Sequence, residues 1–220
     1  MNQHLFAKFL SLFLFGLLLS GCLPSGQADI RSKAAENKTA TQPITFEKTV
    51  SLGDDISVDF RLRDYKNAPA NYQSFTELEN SLINLTGKAD FKVKEFNHAD
   101  EVNGSKAVPG MTFYYAVFEF KGREDNPKSS EIHPSTILQT GWDPAPQLVL
   151  VLNGKSFYQN AYRSELSRMK KIKIENSVPV DQKNWLTDIA TWIQDKNTPP
   201  ELALKYINPQ GETKYIKINY

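Results

Sequence analysis

The chain has 220 residues, with 26 lysines and arginines against 25 aspartates and glutamates, three histidines and a single cysteine. A formal net charge of +1 gives no electrostatic case for nucleic acid, whose binding rests on a surplus of cations that neutralise phosphates. One cysteine cannot form an internal disulfide framework or a thiolate zinc site, so the fold must be held by its apolar core.

Met1 to Lys8 carries one lysine and one histidine, and Phe9 to Leu19 is apolar apart from Ser11 and Gly16. A spanning helix needs about 20 consecutive apolar residues, and this run is shorter; its length and composition are those of a signal-peptide h-region. Ser20 and Gly21, both small, then precede Cys22. The stretch Leu19-Ser20-Gly21-Cys22 resembles the lipobox of bacterial lipoproteins. That resemblance implies cleavage between Gly21 and Cys22, a diacylglyceryl group on the Cys22 thiol, and often a further acyl chain such as palmitate on the new amino terminus. Each buried acyl methylene contributes about 0.8 kcal/mol, so one chain binds marginally while two or three hold a protein on a membrane. The alternative is an ordinary cleaved secretory signal or a signal anchor, with Cys22 incidental. Removal of Lys8 with the signal brings basic and acidic side chains to parity, which leaves no polybasic second signal for anionic lipid.

The expected organisation is a signal peptide over residues 1–21, a tether over 22–43 and one folded domain over 44–220. Leu23 to Gln42 has Ile30 as its only later large apolar residue and cannot bury enough surface to offset its ordering entropy. A coil of about 20 residues has a root-mean-square reach of roughly 25 Å.

From Ile44 the pattern turns to short alternating runs. After a turn at Gly53-Asp54-Asp55, Ile56, Val58, Phe60 and Leu62 alternate with Ser57, Asp59, Arg61 and Arg63, the signature of a strand with one buried face. Ser74 to Leu85 repeats Phe75, Leu78, Leu82 and Leu85 at helical spacing, with Ser74 and Glu77 as a capping box and Gly87 as the stop. It reads as a short helix, or as a strand crossing between sheets. Phe91 to Phe96 reads as a strand with Lys92 and Lys94 outward, and His98 to Pro109 as a polar loop. Thr112 to Phe120 carries apolar residues on both faces, which predicts a central strand covered on both sides.

Gly122 to Gln147 is a long proline-rich connection with room for a short strand at Thr136 to Gln139. Leu148 to Leu152 and Lys155 to Gln159 flank Asn153-Gly154, the strongest local hairpin signal in the chain. Met169 to Glu175 reads as another alternating strand. Residues 182–194 place Trp185, Leu186, Ile189, Trp192 and Ile193 on a helical stripe, though their threonine and isoleucine content also suits a strand. A second hairpin joins Leu202 to Ile207 and Lys214 to Ile218 through Asn208-Pro209-Gln210-Gly211. Seven or eight short strands without βαβ alternation predict a mainly β, antiparallel sandwich with one or two short helices.

The strand order from Ser51 to Ile218 resembles the immunoglobulin-like domain of unknown function carried by small exported bacterial lipoproteins and secreted antigens. The residues that carry the likeness are Ser51-Leu52-Gly53-Asp54, the central strand Phe113 to Phe120, Pro134-Ser135, the hairpin at Asn153-Gly154 and the closing strand Leu202 to Tyr206. The segments Tyr65 to Lys88 and 182–194 depart from it. The family brings no catalytic residues, and it implies an extracellular binding or interaction role.

Chemistry is otherwise sparse. His98 and His133 lie far apart, and no HExxH or EF-hand pattern accompanies them, so neither a metal nor a cofactor is expected. Asp54-Asp55 and Glu124-Asp125 sit in turns where solvated carboxylates are the rule. Ser167-Arg168-Met169-Lys170 matches the bare S-x-x-K of serine acyltransferases without its partner motifs. The candidate contact is the proline-bracketed loop with His133, Trp142 and Asp143, since an aromatic projecting from a loop is a favoured anchor. Trp185 and Trp192 are read as core. These residues predict a non-enzymatic, lipid-anchored extracytoplasmic module that presents loops to a protein or glycan; the rivals are an envelope hydrolase with a dispersed Asp/Glu/His site and a purely structural envelope component. Leu23 is not the aspartate retention signal of Gram-negative lipoproteins, so an outer-membrane location is open if the host has one.

Overall fold

The structure, a computed structural model, describes residues 43–64, 68–127, 131–132, 145–159, 162–174, 178–179 and 181–220. In chain order its first strands are β1 (Lys48–Ser51), β2 (Asp55–Arg63), β3 (Asn84–Ala99), β4 (Glu101–Val102), β5 (Ser105–Lys106), β6 (Met111–Gly122) and β7 (Glu131–Ile132). They are followed by β8 (Gln147–Leu152), β9 (Lys155–Tyr158), β10 (Val178–Pro179), β11 (Leu186–Asp195), β12 (Glu201–Ile207) and β13 (Thr213–Asn219). Two helices, α1 (Phe75–Ser81) and α2 (Arg163–Met169), interrupt them.

Nine of these strands form two sheets, ordered β11-β6-β3-β2 and β1-β13-β12-β8-β9. All pairs are antiparallel except β1 with β13. The order β13-β12-β8-β9 has the connectivity of the G-F-C-C′ sheet of immunoglobulin domains, and β3, β6 and β11 take the places of A, B and E, with β2 added outside. The protein is thus mainly β, an immunoglobulin-like sandwich, as the turn and strand spacing predicts.

The main core lies between the sheets, where Ile56, Val58, Phe60 and Leu62 of β2 meet Leu150, Leu202, Leu204, Ile216 and Ile218 of the facing sheet. Burying a side chain of this size contributes about 1.5–3 kcal/mol. From Phe113 to Ala116 strand β6 is apolar on both faces, and both are covered. Tyr114, Ala116, Phe118 and Phe120 enter the main core, while Phe113 and Tyr115 join Val102, Ile189 and Leu166 of α2 in a second cluster on the other side.

Turn chemistry agrees with the backbone. Asn153 and Gly154 both take positive φ, 50° and 72°, as a type I′ hairpin requires. In the second hairpin Gly211 N–H donates to Asn208 O at 2.9 Å, closing the β-turn. The helix expected over 74–85 is present but shorter: Ser74 Oγ accepts from Glu77 N–H at 3.2 Å, while the Glu77 carboxylate reaches back to Gln73 N–H at 2.8 Å.

Two expectations are corrected and one alternative is decided. Gly87 is no helix stop; it lies inside β3 opposite Phe60, because a Cβ there would sit 2.5 Å from Phe60 Cζ. Residues 182–194, whose spacing suits a helix and whose composition suits a strand, contain the strand. The β-branched Thr187, Ile189, Thr191 and Ile193 favour the pleat, and β11 pairs with β6 over its whole length, so Trp192 enters the core by alternation. Residues 169–175 hold no strand in their described part. Met169 ends α2, Lys171 turns the chain at φ 55°, and Ile172 and Ile174 pack against the second cluster without pairing. The strand expected at Thr136 to Gln139 lies outside the described residues.

The close approach at Gly87 yields a prediction. Gly87→Ala should lower the unfolding free energy by about 1–3 kcal/mol, the usual cost of overpacking, as measured by urea titration. Combining it with Phe60→Leu should recover part of that loss, because the two positions share one space.

Candidate functional site

The outer face of the four-stranded sheet is divided. Where β6 carries Phe113 and Tyr115, α2 and the β4 region cover it. Arg163 of α2 fixes this cover: its Nη2 donates to Asp188 Oδ1 and Oδ2 of β11 at 2.7 and 2.6 Å, and both side chains are buried, 8% and 2% exposed. Asp188 falls between Leu186 and Ala190 on the core-facing side of β11, so the guanidinium satisfies a charge that alternation would otherwise bury alone.

The other half of that face is open and charged. Register places Asp55 of β2, Lys92 of β3 and Glu119 of β6 in one row, and Ser57, Asp90 and Lys121 in the next. Cross-strand neighbours of opposite sign attract, and the contacts follow: Lys92 to Asp55 at 2.7 Å, Lys94 to Glu119 at 3.5 Å, Lys121 to Asp90 at 3.6 Å. Ser57 Oγ donates to Asp90 at 2.7 Å, Arg123 pairs with Asp59, and Lys88 pairs with Asp125. The hydrogen bond that Lys92 donates to the Asp55 carboxylate raises the Lys92 pKa above its ordinary value.

Trp185 sits on this face. Its ring lies 4.7 Å from Lys121 Nζ and 5.5 Å from Lys92 Nζ, and the residue is 36% exposed. Such cation–π contacts hold an indole in place at the surface. A cleft of about 290 Å³ shares Lys121 with it and is walled by Asp90, Gly122, Arg123, Glu124 and Lys183. Lysine, arginine and carboxylate thus line one opening next to an accessible aromatic. Chemically this suits recognition of a polar partner by stacking and charged hydrogen bonds; the carboxylates are already engaged by cations.

The border between the two halves is a β-bulge. Register slips between Val93 and Glu95, leaving Lys94 as the extra residue of β3. Inward positions therefore change from Phe91 and Val93 to Phe96, and Glu95 is turned to the outer face beside Tyr115. Tyr115 Oη and Lys170 Nζ both donate to Glu95 Oε1 at 2.8 Å, and Lys170 lies 4.7 Å over the Tyr115 ring. The Lys170 hydrogen bond, aided by Tyr115, holds the Glu95 carboxyl below its ordinary value, while burial pushes the Tyr115 hydroxyl up.

The predicted site residues fare as follows. Gly21, Cys22, His133, Trp142 and Asp143 lie outside the described residues. His98 is exposed on β3, its ring 5.9 Å from that of Tyr114. Asp54 accepts from Ser51 N–H at 2.8 Å, and Glu124 pairs with Lys183 at 3.4 Å. Ser167 Oγ donates to Ser164 O at 3.0 Å while Lys170 is held by Glu95, so the S-x-x-K residues serve α2 and its anchorage. Among the described residues no group of three or more His, Cys, Asp or Glu side chains is arranged to hold a metal, and no helix is long and apolar enough to cross a membrane. Trp192 is fully buried as expected, but Trp185 is not core; it lies just before β11, where the indole leaves the sandwich.

No family model matches the chain, and no curated protein matches it. Solved structures similar to it include a conserved hypothetical protein from Bacillus anthracis, 14% identical, with a TM-score of 0.39 over 73% of this chain and 97% of the other. An uncharacterized β-sandwich protein from Clostridium difficile 630 is 11% identical, with a TM-score of 0.33 over 79% of this chain and 95% of the other.

Glu95 offers a pH test. A carboxyl with a depressed folded pKa contributes stability above its unfolded value and loses it as pH falls through the folded one. Glu95→Gln keeps the shape and removes the charge, so the acid slope of stability below the ordinary glutamate value of 4.5 should flatten. At neutral pH the loss should stay under about 1 kcal/mol, because the pair is about a third exposed and screened. Urea titrations from pH 7 down to acid would read both.

Proposed function

We propose that the protein is a membrane-anchored, extracytoplasmic, non-enzymatic lipoprotein that binds a protein or glycan partner. The anchor is Cys22, exposed by cleavage after Gly21 and acylated, and the binding surface is the open half of the four-stranded sheet. The observation that carries the binding reading is Trp185, held by Lys92 and Lys121 beside a cleft of alternating charge. An aromatic of this kind gives a partner a large rigid contact at little entropic cost, and the surrounding ion pairs give it orientation. The loop with His133, Trp142 and Asp143 is a second candidate contact. Neutrality of the mature chain, together with the absence of any surplus of cations, argues against nucleic acid as that partner.

Two measurements test this. Radiolabelled palmitate should enter the wild-type chain and not Cys22→Ser, and the substituted protein should leave the membrane pellet; incorporation into both would overturn the anchor. Partners cross-linked to the protein in whole cells should be recovered at least several-fold less well with Trp185→Ala, which removes exposed surface and should leave the thermal midpoint nearly unchanged. Equal recovery would remove this face as the contact.

A further inference from the structure

A second opening lies on the far side of the molecule, on the outer face of the five-stranded sheet. It encloses about 510 Å³, and among its lining residues are Lys155, Lys205, Thr45, Ser156, Thr213 and Tyr215. We propose that it is an anion site for a phosphate ester of a small polyol, such as the headgroup of a glycerophospholipid or a free glycerol phosphate. The inference stands apart from the Trp185 reading, since the two surfaces share no residue.

Charge is the first argument. Lys88, Lys92, Lys94, Lys121, Lys170, Lys183, Lys214 and Lys217 each pair with a carboxylate. Lys155 and Lys205 have no such partner among the described residues; nor do Lys48, Lys106, Lys171 and Lys196, but only Lys155 and Lys205 share this opening, and no aspartate or glutamate lines it. The Lys205 ammonium donates to the neutral Tyr158 hydroxyl and lies 4.6 Å over that ring, so its position is set while its charge remains uncompensated. Two ammonium groups and three aliphatic hydroxyls form a donor-rich wall, and phosphate oxygens accept strongly from such groups.

The second argument is the apolar side. Ile44 and Tyr215, which line the opening, pack with Phe46 over the buried Val149, Val151 and Ala203, so one wall is apolar, which lowers the local dielectric and strengthens the lysines' field. Tyr215 and Ile44 add apolar surface against which the carbons of a glycerol or sugar can lie. The third is location: the rim residues Pro43 and Ile44 follow directly on the tether of the proposed anchor, so in a lipid-anchored chain this opening would stay within the tether's reach of a membrane surface.

The test uses the mature chain with Cys22→Ser, so that no acyl chain contributes. Glycerol 3-phosphate and inorganic phosphate would be titrated by calorimetry, and vesicles of phosphatidylcholine with and without phosphatidylglycerol would be co-sedimented. Binding should be weakened about tenfold or more in Lys155→Gln/Lys205→Gln and by added salt, while Lys92→Gln/Lys121→Gln binds as the parent does. Capture by phosphatidylglycerol vesicles as well as by glycerol 3-phosphate would identify a headgroup site, and response to the soluble esters alone would identify a free or polymeric phosphate ester. No binding by the parent chain, or equal loss in the two double variants, would overturn the proposal.

Discussion

From Phe113 to Ala116 strand β6 has no wet side, and much of the architecture answers that constraint. Its even-numbered residues are satisfied by the facing sheet, as in any sandwich. Its odd-numbered aromatics, Phe113 and Tyr115, need a separate cover, and a helix of only seven residues supplies part of it through Leu166, beside Val102 and Ile172. So short a helix has little stability of its own. It is held by tertiary contact, through the buried pair of Arg163 and Asp188 and through Lys170 on Glu95. Removing one member of a buried pair costs about 3–5 kcal/mol by stranding the other, so the pair fixes where α2 lies more than it adds net stability.

Because α2 covers only part of the sheet, the remainder can be polar. The bulge at Lys94 sets the boundary. On one side of it β3 turns Asp90 and Lys92 outward into a lattice of opposite charges; on the other it turns Glu95 out to meet Tyr115 and Lys170. One inserted residue therefore separates a region that carries a packed helix from a region that carries an accessible tryptophan.

The fold was largely legible. Alternation at Ile56 to Leu62, the doubled apolar pattern at 112–120 and the two turn signatures each correspond to what is found. The parity break between Val93 and Phe96 was also in plain view, and it is the local mark of the bulge. What misled were segments whose spacing suits either period. Residues 182–194 place large side chains at helical intervals by chance, and only pairing with β6 decides for the strand. The short α2 has one fully buried aliphatic, Leu166, too few to write a stripe. The candidate surface was the least readable part, because it is assembled from β2, β3, β6 and the run before β11, and its opposed charges become neighbours only through register.

The first and last strands of the domain run side by side in the same direction. β1 pairs with β13 from Lys48 opposite Ile216 to Ser51 opposite Asn219, and Glu47 and Leu52 N–H add bonds of 2.8 Å to Tyr215 O and Asn219 O. A pull on the chain ahead of Pro43 acts along β1, across these bonds and not in line with them. They are loaded together in shear, and none can peel away before the rest. A protein held at one end while it grips something at the other would, by this arrangement, meet tension with its seam closed.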